Sequence, residues 1–266
     1  MTGTVYTYAV ARPFDPASLA GVRGIDGARI HLVRYRDVVA VLSALPTPGV
    51  DEAALRARLE TLEELEAVAR AHHAVVEAVA ARSVALPLRL ATLHRGDARV
   101  ADALRQGYEG FCAGLDRLAG RVELGVKIHG GVRDACTADP GPSTSSPGRD
   151  YLRRLHRQRR QREGARERAG AAAREIDAAL AELAIDRRHH RPQAPPLCPA
   201  GRENVLNAAY LVERRRGEEF IERARALAAH TPGVEVEVTG PWAPYSFVDT
   251  PSAPSPAAGH EDGRHT

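Results

Sequence analysis

The 266 residues are 44% hydrophobic and 27% charged, enough apolar material for one large core or two ordinary ones, although aromatics make up only 5%. Basic residues number 37 against 34 acidic ones, a formal charge of +3, which removes any global electrostatic argument for nucleic acid. No apolar run approaches the ~20 residues of a membrane span. The N-terminus lacks a secretory pattern, and Cys112, Cys136 and Cys198 show no paired spacing, so a reducing, cytoplasmic location is expected.

In chain order, Val5, Thr7 and Ala9 alternate with Tyr6, Tyr8 and Val10 as a strand that Pro13 and Pro16 end. A second strand starts at Ile30 and a third covers Val38–Leu42, joined by a tight connection at Arg36 and Asp37. The apolar run of the third strand makes it central in its sheet. Asp51 then stands as the N-cap of a helix of about 30 residues, with Leu55, Leu59, Leu62, Leu65, Val68 and Val79 on one stripe. His72 and His73 on this helix point about 100° apart, cannot share one metal, and read as surface or boundary residues. Ala85–Thr92 is short and extended, Pro87 holding it out of a helix and Arg89 its one charge. Asp97 opens a further helix with Val100, Leu104, Tyr108, Phe111, Leu115 and Leu118 in one stripe, ended by Gly120. Residues 1–120 therefore read as an α+β domain, with helices on one face of a mostly antiparallel sheet.

Residues 121–248 read as a second domain. Val122, Leu124, Val126 and Ile128 face one side of a half-buried strand, with Glu123 and Lys127 on the solvent side. Residues 134–149 are rich in Pro, Ser and Gly and predict a flexible loop. Tyr151–Leu183 is helical in composition, but Arg153, Arg154, Arg157, Arg159, Arg160, Arg162, Arg166 and Arg168 crowd its first half. Leu152 and Leu155 at the start, and Ile176, Leu180 and Leu183 at the end, can anchor it. Glu163 and Glu167 pair with Arg159 and with Arg162 or Arg166 across one helical turn. A proline-dense edge segment over Arg187–Pro199, a strand over Val205–Val212, a helix facing inward through Phe220, Ile221, Ala224 and Leu227, and a last strand over Val234–Thr239 follow. Gly240 and Pro241 stop that strand. The order βαββαβ is ferredoxin-like, with a long basic helix. Trp242, Tyr245 and Phe247 then form a packed aromatic plug or a partner contact, and residues 249–266 have no apolar set to bury and predict a disordered tail.

No phosphate loop, dinucleotide fingerprint, metalloprotease or serine-hydrolase motif is present, and His189, His190 and Cys198 lack a fourth ligand at close spacing. No catalytic, cofactor-binding or metal-ligating residue is assigned. The basic stretch Arg153–Arg168 offers an alternative, a nucleic-acid or regulatory binding module, but it lacks the interleaved aromatics that stack on bases.

Four segments in order, ALPLRLAT (Ala85–Thr92), VELGVK (Val122–Lys127), NAAYLV (Asn207–Val212) and GPWAPYSF (Gly240–Phe247), resemble signatures of the gas vesicle protein F/L family. Leu90 and Ala91 stand where that family commonly has an aromatic residue and a glycine, and Ala243 where a proline is common. The resemblance implies an accessory or minor structural protein of gas vesicles with no catalytic activity and no cofactor. It implies as partners the small, hydrophobic major shell protein and other gas vesicle accessory proteins, and no membrane. The mechanism expected here is that the N-terminal domain offers an apolar edge or groove near Ala85–Thr92 to the shell protein, with Pro87, Arg89 and Leu90 as candidate contacts, while the aromatic segment with Trp242, Tyr245 and Phe247 clasps the two domains.

Overall fold

The computed structural model describes residues 3–45, 55, 57–130, 147–193 and 202–248. Two units carry the chain, Met1–Ala119 with Val248–Thr266, and Gly120–Phe247. Each holds one antiparallel sheet with its helices, so the mixed α and β architecture follows the sequence pattern.

In the first unit the strands are β1 (Thr4–Ala11), β2 (Ile30–Tyr35), β3 (Val38–Ala44), β4 (Ala85–Pro87) and β5 (Leu93–Arg95). The order is β2-β3-β1-β4, with β5 also paired to β1. β3 lies inside the sheet, as its apolar run requires. Val5 to Ala11 of β1 and Val38 to Ser43 of β3 are buried at every position, so both faces are covered rather than one. A bulge near Tyr8 shifts the register between Thr7 and Ala9, and Tyr6 and Tyr8, two apart on the strand, meet the same helical residue, His72.

Helix α1 (Leu62–Ala80) supplies that residue and buries Val68, His72, Val75, Val76 and Val79. The expected 30-residue helix is broken before it. Arg58 clamps Asp26 through both carboxylate oxygens at 2.9 and 3.0 Å and also binds Glu64 at 2.8 Å. Residues six apart do not face each other on a continuous helix, so the chain turns at Leu59 and Glu60, and Leu62 stays 80% exposed. Asp51, the expected cap, lies outside the described residues. The next stripe is likewise split, into α2 (Gly96–Gln106) and α3 (Tyr108–Leu118). Gly107 is the joint: a β-carbon there would stand 2.7 Å from the Phe111 ring.

The second unit has β6 (Arg121–Gly130), α4 (Pro147–Ala181), β7 (Asp186–His189), β8 (Glu203–Glu213), α5 (Gly217–His230) and β9 (Val234–Trp242). Its sheet order is β7-β8-β6-β9, with every pair antiparallel. Leu124, Val126 and Ile128 of β6 and Ala208, Tyr210 and Val212 of β8 share a core with Ala173, Ile176 and Leu180 of α4 and Phe220 and Ala224 of α5. Of the expected loop over 134–149, residues 147–149 belong to α4, and the remainder lies outside the described residues, as do the tail 249–266, Cys136 and Cys198. Gly240 and Pro241 do not end the last ladder. The register shifts between Glu123 and Gly125, and Trp242 still pairs with Glu123.

Candidate functional site

In the first unit, Ala85–Thr92 closes the β1 edge of the sheet. Pro87 is buried and pairs with Ala9, which its missing N–H permits at an edge. Beyond it the backbone is held by β1: Leu88 N donates to the Tyr8 carbonyl at 2.9 Å and Thr7 N to the Thr92 carbonyl at 2.9 Å. Ala91 N donates to the Tyr6 hydroxyl at 2.9 Å. Ala91 adopts φ 64°, the left-handed region that a glycine enters without cost. Arg89 is exposed and Leu90 half-buried at the turn.

Behind this turn His72 is buried, not the surface or boundary residue that the sequence led one to expect. The Tyr6 and Tyr8 ring centroids lie 4.8 Å apart, and His72 sits 5.7 and 5.6 Å from them. Tyr6 Oη accepts from Ala91 N, which leaves its proton for His72 Nδ1 at 2.9 Å. Burial pushes the imidazole's pKa down to about 4. Neutral His72 thus holds the Tyr6 hydroxyl that fixes Ala91 at the end of the turn. The signal was available: Val68, His72, Val75 and Val79 follow the 4-3-4 spacing of a buried helical face.

The other three signature segments meet in the second unit. Gly125 is required by close approach, since a β-carbon would stand 2.6 Å from Thr239 Oγ1 of β9. Gly240 is at φ 110°, and a β-carbon there would lie 2.8 Å from the Glu123 carbonyl oxygen. Glu123 does not face open solvent. Its carboxylate accepts from Ser246 N at 2.8 Å and from Ser246 Oγ at 2.7 Å, and His190 Nε2 lies 3.1 Å from the same hydroxyl. Burial raises the Glu123 pKa, while the Ser246 hydrogen bonds draw it back. Glu123 and Leu124 are neighbours on one strand, so Ser246 lies on the sheet face opposite the helical core. Ala243, Pro244 and Phe247 are buried there and Tyr245 is half-buried, whereas Trp242 is 40% exposed. The expected aromatic plug is thus carried by Phe247 and the small residues, not by the tryptophan.

On the helical face, Tyr210 of NAAYLV donates to Asp177 Oδ1 at 2.6 Å. Asp177 Oδ2 takes Arg187 Nη1 at 2.8 Å and lies 3.0 Å from His189 Nε2. Asp177 is buried in α4, and these partners on β7 and β8 compensate its charge. The anchoring joins the helix end to the sheet edge. Among the described residues no group of three His, Cys, Asp or Glu could hold a metal ion, and no helix is long and apolar enough to cross a membrane.

The family model described as "Gas vesicle synthesis protein GvpL/GvpF" matches residues 4–249. Gas vesicle protein L of Streptomyces sp. (strain CB03234) is 46% identical over 245 residues, 91% of each chain. Gas vesicle protein F2 of Halobacterium salinarum is 27% identical over 251 residues, 92% of each. Among solved structures, gas vesicle protein GvpF from Anabaena sp. PCC7120 superimposes with a TM-score of 0.63 at 17% identity, covering 92% of this chain and 95% of that one. GvpF from Microcystis aeruginosa gives 0.62 at 17% identity, over 92% and 99%. At that identity the two structures speak for the fold.

Proposed function

Given that the chain belongs to the GvpL/GvpF family of gas vesicle synthesis proteins, we propose that it acts as a non-enzymatic accessory protein that binds the major shell protein and supports nucleation or assembly of the vesicle. The observation that carries this reading is the family match over residues 4–249, which spans nearly all of both units. A shell subunit exposes apolar surface before it assembles, and a protein that covers or orders that surface needs a fixed contact rather than a catalytic cleft.

The domain reading goes with it: residues 1–120 as the shell-contacting domain and 121–248 as a ferredoxin-like domain, whose β7-β8-β6-β9 order supports that assignment. Within the first domain, Arg89 and Leu90 offer the contact, because they occupy a turn whose backbone is already ordered and costs little further entropy on binding. Pro87 and Phe247, both buried, serve as framework. Trp242, exposed at the end of β9, and half-buried Tyr245 form a second contact toward gas vesicle components.

The test is capture of co-expressed major shell protein by the tagged full chain. Capture by the native chain and its loss in Arg89→Glu/Leu90→Asp is the expected result. No capture by the native chain would overturn the shell-binding reading.

A further inference from the structure

Helix α4 is longer than the sheet it packs on. Its face toward the sheet runs through Leu152, Leu155, Arg159, Arg162, Arg166, Ala169, Ala173, Ile176 and Leu180, a continuous alternation of three and four residues. From Ala169 onward the seam is covered: Ala169, Ala173, Ile176 and Leu180 are buried, and Ala169 lies directly over Gly130 of β6. Before Ala169 the same seam is exposed. Leu152 is 54% and Leu155 50% exposed, and Arg159, Arg162 and Arg166 are exposed between them and the core. Arg159 pairs with Glu163 of its own helix and Arg166 with Glu203, both at 2.9 Å, while Arg162 has no ion pair among the described residues.

We propose that this exposed half-seam, residues 152–166, is a docking surface for an acidic amphipathic helix of another protein chain. Two apolar anchors followed by three cations specify the occupant's chemistry: leucine-like side chains opposite Leu152 and Leu155, and carboxylates opposite Arg159, Arg162 and Arg166. A second copy of this chain does not fit. Antiparallel pairing of the seam with itself sets Arg166 and Arg162 against Leu152 and Leu155 and Arg159 against Arg159, and parallel pairing sets Arg159, Arg162 and Arg166 each against its own copy. Nucleic acid fits less well, because the leucines do nothing for a phosphate backbone, residues 152–168 hold no Phe, Tyr or Trp for stacking, and Glu163 and Glu167 repel phosphate. The seam covers about 21 Å at 1.5 Å rise per residue, four turns of a partner helix. The proposal stands on this geometry and is independent of shell-protein binding.

The test uses the full chain and a fluorescein-labelled synthetic helix with leucines and glutamates at the facing positions, followed by anisotropy. Binding is expected to fall at least about tenfold in Arg162→Glu and in Leu152→Ser/Leu155→Ser, which corresponds to ~1.4 kcal/mol. A peptide with lysine at the position facing residue 162 should rebind the Arg162→Glu chain. All substituted side chains are exposed, and far-UV circular dichroism checks that the fold is kept. Failure of the acidic peptide to bind would overturn the proposal. So would tighter binding of a single-stranded oligonucleotide that is indifferent to the leucine substitutions.

Discussion

His72 and Glu123 are titratable groups placed where burial opposes their charge, and each fastens a signature segment to its own sheet. For His72 the folded pKa is about 4 against 6.5 for the free side chain. The unfolded chain therefore takes up the proton first, so the stability contribution is complete above about pH 6.5 and is lost as pH falls toward 4. Its size is on the order of 3 kcal/mol, at about 1.4 kcal/mol per unit. His72→Gln should remove this acid dependence, which urea denaturation at a series of pH values would read; an unchanged pH profile would rule out His72 as its source. Glu123→Ala strands Ser246 N–H and its hydroxyl, and should destabilise the second unit by about 1–3 kcal/mol. The same measurement at neutral pH checks it.

At the scale of elements, backbone contacts set what can be substituted. Gly240→Ala meets both a disfavoured φ and the Glu123 carbonyl, and a loss of about 1–3 kcal/mol is expected in thermal unfolding. Asp177→Asn removes the charge that Tyr210, Arg187 and His189 share, and should cost about 1.5–3 kcal/mol while loosening the end of α4, seen as faster amide exchange near Leu180. Strand and helix order was legible in the sequence because β3 is a continuous apolar run and apolar periodicity is strong in β6 and the C-terminal half of α4. The breaks before Leu62 and at Gly107 were not, because Arg58 reaches a carboxylate, Asp26, that is distant in sequence, and because one glycine within a good stripe leaves the period intact. Of the candidate contact residues, the sequence could not sort exposed Arg89 and Trp242 from buried Pro87 and Phe247. Burial depends on which strand lies alongside, and periodicity does not reveal that. The Glu123–Ser246 bond was hidden for the same reason, its partners being 123 residues apart.

For the whole molecule, the family match and the two units together frame how partner binding can be followed. Trp242 is the chain's one tryptophan and stands 40% exposed in the second unit. If Trp242 meets gas vesicle components as proposed, its emission should shift to the blue and lose sensitivity to iodide when the shell protein is captured; an unchanged spectrum on capture would move the contact elsewhere. The placement of a lone indole thus makes the protein its own optical probe: tryptophan light comes from the second unit alone, and no dye or label is needed to tell whether a ligand, a mutation or a change of pH has disturbed the surroundings of that one ring.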